Sequence, residues 1–543
     1  MENYANLYSG PIIDQIPRLL TQVNRNRFSR NYGSCCRDYW HYRIMDISNS
    51  QKQEVALTLA LAYKNRFHNN PYYRSKLFRD WIGAVIIFWT HLQNRNGAYD
   101  EVYQNHDSYA ATAFTSYMMS ETILEMENEL PDPVRNKALS SLSRAVNWLA
   151  KTEETHAMNQ NAGAVAAIYN VYELTGNSGT LKVAEAKMQF LLSHQTKEGW
   201  FPEYGGADIG YNSLTLSYLA RVWLRTQDGA LLKRMAHLLD FLKYFLHQDG
   251  TVGGLYGSRN TEYFIPFGVE VLYDRLPEAR NISNFIIYHL KNKRHDVITR
   301  GLDDRYFLYL SPFYLLAARY LQKRDTLDFD LPLKRPHHVY YPGAKLLSYK
   351  NRRYRIIANL GKGGCFRVDS TAKTWVDSGI WAVTKKKQLL TSQHFDPRTE
   401  IDLSETEINI RGQLYRANEI SIDPIKMILV KLFNLVMPSG PRRLFLDWLR
   451  DRAVSKPKSG IFFRRKIRLS EPMEILDEVD GSVPFERIGV LDTKEMSFFF
   501  ASTSFFQVPE LTVDSKMPHG LVYLDKDRIS GLYRLERTQN FSD

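Results

Sequence analysis

A recurrence of about 50 residues sets the tightest limit on how this chain can fold. Phe190–Gly206 (FLLSHQTKEGWFPEYGG) resembles Phe245–Gly257 (FLHQDGTVGGLYG): each has a His-Gln pair, a Gly soon after, and Tyr-Gly beyond. Gly199 and Gly250 lie about 51 residues apart, and Gly97 precedes Gly199 by about twice that. WLAKTEETHAMNQNAG fills the slot between, and Gly301 opens the next. One helical hairpin with its loop fits such a period, so successive hairpins stack or close into a ring.

The hydrophobic pattern agrees with that reading. Apolar residues recur at three- and four-residue spacing in Gln53–Phe67, Trp81–Leu92, Ala110–Met126, Pro133–Ala150, Ala162–Leu174, Leu181–His194, Ser213–Thr226, Ala230–His247 and Ser311–Leu321. Gly176 suits a helix C-cap. From about Leu333 the texture changes to alternating stretches bounded by turn residues, such as HHVYY, RYRIIANL, KTWVDSGIWAV, TEIDLSETEINIRGQLYRA, GLVYLD and ISGLYRLER. The fold class expected is therefore α+β and multidomain. Residues 1–327 form an α/α toroid of helical hairpins, and residues 333–543 an antiparallel β-sandwich or sheet domain.

One stretch interrupts the strands. Pro424–Leu469 holds 12 Lys and Arg against two Asp, and Ile425–Met437 is mostly apolar. Two readings stay open for this helical insert, residues 424–469. It binds an anionic membrane surface peripherally, or it packs on the toroid as a buried helix pair with solvated cations.

Composition narrows the partners. A net charge of +12 favours an anionic one. With 33 Tyr, 28 Phe and 9 Trp beside those cations, the chain suits sugar stacking and carboxylate binding, the plainer reading being a large aromatic core under a solvated basic surface; the partner expected is an anionic polysaccharide, not a nucleic acid. Three cysteines, two of them adjacent (Cys35, Cys36), make no disulfide framework or zinc pair, and no metal or other cofactor is expected. The first residues lack a basic stretch followed by an apolar run, and no run of 18 apolar residues occurs. The expected location is the cytoplasm, with peripheral attachment at the inner membrane face as an extension of the insert's chemistry.

The loops hold the candidate chemistry. Glu154–Asn161 carries His156, Asn159 and Asn161. Trp200–Tyr211 carries Trp200, Glu203, Tyr204, Asp208 and Tyr211. Gly253–Tyr263 carries Tyr256, Arg259, Asn260 and Glu262, and an earlier loop carries His106. A closed ring brings loops one repeat apart to the same end. Plainer roles stay open: Asn159 or Asn161 capping the Ala162 helix, Tyr211 in the core, Arg259 paired with Glu262 or Asp249, and either histidine as a structural hydrogen-bonder. GGLYGS is not a phosphate loop, since no Gly-Lys-Ser/Thr follows, and neither DDxxD nor HExxH occurs.

With NQNAGAVAAIYNVYELTGN and GGADIGYNSLTLSYLARVW in a toroid followed by a β-domain, the chain resembles the heparinase II/III-like polysaccharide lyases. The resemblance implies β-elimination on a uronic-acid glycan. It matches Asn159, with Asn161 second, to the amide that neutralises the uronate, and Tyr211 to the proton-transferring tyrosine. His394, in TSQHFDP, is the candidate for the family's β-domain histidine; the family's Asn-His dipeptide is absent. Hydrogen bonds and a cation on the uronate stabilise the enolate-like transition state. A tyrosine, ordinarily ionising near 10, needs Arg259 or His156 beside it to act as base near neutrality. Two other functions fit the residues: a glycoside hydrolase with Glu203, Asp208 or Glu262 as acid and base, and a non-catalytic glycan-binding or polysaccharide-assembly protein at the membrane surface.

Overall fold

The computed structural model describes residues 4–292, 302–371, 374–417, 423–454, 457–491, 521–527 and 530–541. Gly301, expected to open a further repeat, and residues 455–456 of the expected insert lie outside them. The first part is helical: α1 (Ala5–Asp14), α2 (Ile16–Gln22), α3 (Arg37–Trp40), α4 (Val55–Lys64), α5 (Lys76–His91), α6 (Tyr109–Glu125), α7 (Asp132–Ala150), α8 (Met158–Thr175), α9 (Ser178–Ser193), α10 (Ile209–Thr226), α11 (Gly229–Leu242), α12 (Phe267–Val271), α13 (Pro277–Lys291) and α14 (Asp304–Tyr320).

These helices make a closed α/α toroid. Each of α4, α6, α8, α10, α12 and α14 packs on the next, and α14 returns to α4. The helices α1, α5, α7, α9, α11 and α13 form the outer layer. The inner helices are apolar or small-residued on nearly every side, which suits helices with protein all round. Gly163 on α8 is needed for that closeness, because a Cβ there would stand 2.8 Å from the Phe114 ring of α6.

The 50-residue recurrence is a repeated turn. Gly97, Gly199 and Gly250 have φ of +100°, +96° and +91°, a region open to glycine and strained for other residues. Added Cβ atoms would stand 2.4 Å from the Arg144 carbonyl, 2.3 Å from the His237 carbonyl and 2.6 Å from the His289 ring. Each contact lies on the following outer helix. Gln93 Nε2 donates to the Gly97 and Ser141 carbonyls at 2.9 and 2.8 Å, and Gln195 Nε2 repeats this with the Gly199 and Arg234 carbonyls at 2.8 and 2.9 Å.

Several helix limits differ from the sequence reading. α1 and α2 precede Gln53, where the first expected helix begins, and the Tyr8 hydroxyl donates to Glu270 at 2.8 Å, tying α1 to the ring. Gly10 and Pro11 hide α1 in the sequence, because both residues ordinarily disfavour a helix interior. α13 is not among the expected helices, and α14 starts at Asp304 rather than Ser311, with Pro312 inside it.

The second part is antiparallel throughout. One sheet runs in the order β1 (His337–Tyr341), β2 (Leu346–Lys350), β3 (Tyr354–Asn359), β4 (Cys365–Ser370), β5 (Thr374–Asp377). The larger sheet contains β6 (Ile380–Thr384), β7 (Leu389–Thr391), β8 (Glu400–Leu403), β9 (Glu407–Arg416), β10 (Lys458–Arg468), β11 (Met473–Val479), β12 (Phe485–Leu491), β13 (Leu521–Tyr523), β14 (Asp525–Lys526) and β15 (Tyr533–Gln539). Its order is β13-β12-β6-β7-β9-β10-β11-β15-β14, with β8 beside β9. The stretch TWVDSGIWAV therefore changes sheets at Ser378-Gly379. Arg465 sits fully buried there, paired with Asp377 at 2.8 Å and Asp477 at 2.6 Å.

The expected 424–469 insert is corrected by the structure. Among its described residues only α15 (Pro424–Val436) and α16 (Ser439–Val454) are helical; the most basic run, from Lys458, is β10 inside the larger sheet. A central strand needs alternation rather than a helical face, and β10 alternates from Ile461 through Ile467. Among the described residues no helix is long and apolar enough to cross a membrane.

The first sheet docks on the toroid through polar ties. Lys362 Nζ donates to the Leu255 and Gly257 carbonyls at 2.8 and 2.9 Å and also to Asn260 Oδ1. Asn359 Nδ2 donates to the Tyr256 carbonyl at 2.6 Å, and Arg367 pairs with Asp249 at 2.8 Å.

Candidate functional site

Because every inner helix runs the same way along the ring, their starts gather at one end. A cleft of about 1150 Å³ opens there. Its wall takes Gln51, Lys52 and Glu54 from the turn before α4, then Tyr109 and Phe114 from α6. His156, Asn159 and Gln160 come from the start of α8, Tyr211 from α10, and Arg305, Tyr306 and Tyr309 from α14. Helix starts carry partial positive charge from their unpaired N–H groups, so this end favours an anion. Arg442, Leu446 and Leu449 of α16 also line the cleft.

The start of α8 has no side-chain cap of its own, because its N-cap is Ala157. Glu203 supplies the cap from the next repeat. Its Oε1 accepts the Asn159 backbone N–H at 2.7 Å, and its Oε2 accepts the Asn159 side-chain amide. Burial pushes the Glu203 carboxyl well above the usual carboxylate range, Asp208 adding to it and the Asn159 N–H opposing. Neither Asn159 nor Asn161 caps the helix, because α8 already begins at Met158 and both lie inside it.

The next repeat supplies the second arm. Asp208 is the N-cap of α10, with Oδ1 accepting from Tyr211 N at 3.2 Å. It also accepts the Arg259 backbone N–H at 3.0 Å and bonds to Thr261. One buried carboxylate therefore fixes the segments carrying both Tyr211 and Arg259. The Arg259 guanidinium stacks over the Tyr204 ring at 4.1 Å, within cation–π range. Burial raises the Tyr204 phenol, although Arg259 pulls it down. Burial raises the Tyr306 phenol, and the neighbouring Tyr211 raises it further. His156 Nδ1 lies 3.6 Å from Glu154 Oε1 and 3.2 Å from Thr155 Oγ1.

Six of the residues singled out from the sequence share the cleft wall: His106, His156, Asn159, Tyr204, Tyr211 and Arg259. The other eight lie outside that wall. Asn161 is buried behind it, accepting from Tyr109 Oη at 2.9 Å and donating to the Glu154 carbonyl at 2.7 Å. Glu203 and Asp208 are fully buried, their oxygens engaged as described. Trp200 packs on Phe241 and donates to Glu198 at 2.7 Å. Tyr256 is buried against His247, with the hydroxyl 2.7 Å from Nε2. Asn260 holds Lys362 at the sheet junction. Glu262 lines a separate small pocket with Tyr256. The His394 ring lies against Tyr415 in the strand-rich part, tilted by 58° with centroids 4.4 Å apart. The reason is common to most of them. The loops converge, but alternate loop residues face the ring or the sheet rather than the cleft.

The sequence reading missed Glu54, Glu101, Arg305 and Arg442. Glu54 is buried in the wall, its Oε1 has no hydrogen-bond partner among the described residues, and burial pushes its carboxyl up to about 8 against the pull of Arg305. Arg305 bonds to Gln51 at 2.8 Å and to Glu101. The signal available was the Arg305-Tyr306…Tyr309 spacing at the start of α14. Among the described residues no group of three or more His, Cys, Asp or Glu is arranged to hold a metal ion.

No family model matches the sequence, and no curated relative does. Solved structures do share the fold. A xanthan lyase of Paenibacillus aligns over 91% of this chain and 47% of its own, at 10% identity and a TM-score of 0.55. A chondroitin AC lyase of Streptomyces coelicolor A3, solved with chondroitin sulphate, aligns over 91% of this chain and 68% of its own, at 8% identity and a TM-score of 0.57. The chain thus spans about half the length of the xanthan lyase. At these identities the likeness is one of fold: an α/α toroid followed by antiparallel sheets, as polysaccharide lyases have.

Proposed function

We propose that the protein is a polysaccharide lyase that cleaves a uronic-acid-containing anionic glycan by β-elimination. The observation that carries this reading is the meeting of Asn159, His156, Tyr211 and Arg259 on one cleft wall at the positive end of the inner helices. In the reaction the C5–H and C4–O bonds break and a C4=C5 double bond forms. The C5 proton passes to a base, and the departing O4 takes up a proton.

Each residue has a part that its setting supports. Asn159 carries two side-chain N–H donors; Glu203 engages one, leaving the other for a uronate oxygen. Arg259 supplies the cation that stabilises the enolate-like transition state. Tyr211 is the proton-transfer group, with His156 on the same cleft wall as its partner. Both structural neighbours are by name lyases, of xanthan and of chondroitin, which is consistent with an anionic glycan here.

A second reading is favoured by Glu54. A carboxyl in the cleft wall with its proton held up to about 8 has the state a glycosidase acid needs. One assay separates the readings. The protein is incubated with a panel of uronic-acid polysaccharides, and both ultraviolet absorbance and new reducing ends are followed. Elimination gives both signals, because the new double bond is conjugated with the carboxylate. Reducing ends without absorbance mean hydrolysis, and binding with neither signal means a non-catalytic glycan-binding protein.

A further inference from the structure

The hairpin of α15 and α16 is held on one side and open on the other. On the held side, Lys431 pairs with Asp46 at 2.9 Å, Arg442 pairs with Asp107, and Asn105 Nδ2 donates to the Asn434 carbonyl at 3.3 Å. On the open side, Ile425, Ile428, Leu432 and Val436 recur at helical spacing along α15, and Leu444 and Trp448 lie one turn apart on α16. These six side chains are 51–76% exposed. The Lys431–Asp46 pair sets the turn at Tyr42–Ile44 next to the hairpin, with Tyr42 56% and Ile44 75% exposed and Arg43 exposed between them. Scattered exposed apolar residues are ordinary, but apolar stripes exposed on both helices of one hairpin, with two more apolar side chains exposed near Asp46, mark a docking surface.

We infer that this surface docks on an anionic lipid bilayer, lying in its interface without crossing it. Charge selects the occupant. Residues 424–454 hold six Lys and Arg against two Asp. Lys426 is 81% exposed beside the apolar stripe. An apolar helix face edged by cations and a Trp fits the headgroup boundary of anionic lipid. A second copy of the chain would instead set like cations against each other across a two-fold contact. Because α16 also lines the cleft, docking would hold the cleft mouth close to the membrane.

The test uses the full chain and vesicles of phosphatidylserine with phosphatidylcholine, or of phosphatidylcholine alone. Co-sedimentation is expected with the anionic vesicles only, weakening as salt rises. Ile428→Ser/Leu432→Ser/Trp448→Ser should abolish it, and Lys426→Glu/Arg43→Glu should weaken it by about tenfold or more. Thermal melting checks that both variants stay folded. No recovery with anionic vesicles, equal recovery with both kinds, or a dimer by light scattering that the triple Ser variant dissolves would overturn the inference. No glycan enters the assay, so its outcome is separate from that of the lyase reading.

Discussion

Glu203 caps the helix that carries Asn159, although the two residues stand 44 positions apart. The carboxyl replaces a missing local N-cap and at the same time orients the amide facing the cleft. Helix stability and site geometry therefore depend on one side chain. Glu203→Ala should cost about 1–2 kcal/mol, the usual loss for a cap, and lower turnover by freeing the Asn159 amide. Glu203→Gln keeps one accepting oxygen but sets its NH2 against an Asn159 N–H, so it should lose part of both, less than the Ala variant loses. Thermal melting and glycan turnover of the two variants check this; a Gln variant indistinguishable from the parent would mean that the second accepting oxygen is not needed.

Tyr211→Phe should lower elimination by about 10²–10⁴-fold while glycan binding changes little, because only the proton-transfer group is lost. Turnover and binding affinity, measured separately, decide it. A loss confined to binding would remove Tyr211 from proton transfer.

Glu54 predicts a pH effect on stability. Its folded carboxyl keeps its proton up to about 8, whereas the unfolded one loses it near the ordinary value of 4.5. Between those values the native state holds the extra proton, so raising the pH through this window destabilises the fold, by up to about 1.4 kcal/mol per pH unit. Glu54→Gln should flatten that part of the profile in denaturant titrations. An unchanged slope would show that Glu54 is ionised in the fold.

At the far end of the inner helices, Arg221 grips the buried Glu121 through two contacts of 2.6 Å. Burial alone would raise Glu121, but Arg221 and Arg225 outweigh it and hold the carboxyl down to about 2. This ion pair stabilises the fold above the ordinary Glu range, and the stability is lost as pH falls toward 2. Arg221→Met removes the two-point partner, leaves the carboxylate only Arg225 at 3.3 Å and Asn170 at 2.8 Å, and should cost about 3 kcal/mol, read by urea unfolding. Arg221→Met/Glu121→Gln should recover much of it.

Arg442 joins the hairpin to Asp107 at the cleft mouth. Arg442→Ala should raise amide exchange across α15 and α16 while leaving exchange in α8 and α10 unchanged, as hydrogen-exchange mass spectrometry would show. Faster exchange throughout the toroid would mean that the tie supports the whole ring.

The toroid was legible in the sequence because its repeat is local. Gly97, Gly199 and Gly250 must all be glycine for the turn to pass the next outer helix, so the period is written in the residues themselves. Helical and alternating patterns likewise report which faces are buried, and they separated helices from strands without tertiary knowledge. Periodicity failed where a helix was disguised, as at Gly10-Pro11 in α1, or where charge outweighed pattern, as at Lys458–Arg468.

The sequence by itself determined that loops one repeat apart would meet at one end of a helical array, and it supplied the residue types found there. Only the tertiary structure decided which of them face the cleft. Asp208, Glu203 and Asn161 lie in the same loops as Tyr211, Tyr204 and His156, yet they turn inward to satisfy backbone N–H groups and buried partners. Tertiary structure likewise brought in Glu54, Arg305 and Arg442, from three separate stretches of chain. The physical reason is that a side chain's direction at a helix start depends on which buried polar groups need a partner there. Those groups come from other repeats and from the sheet.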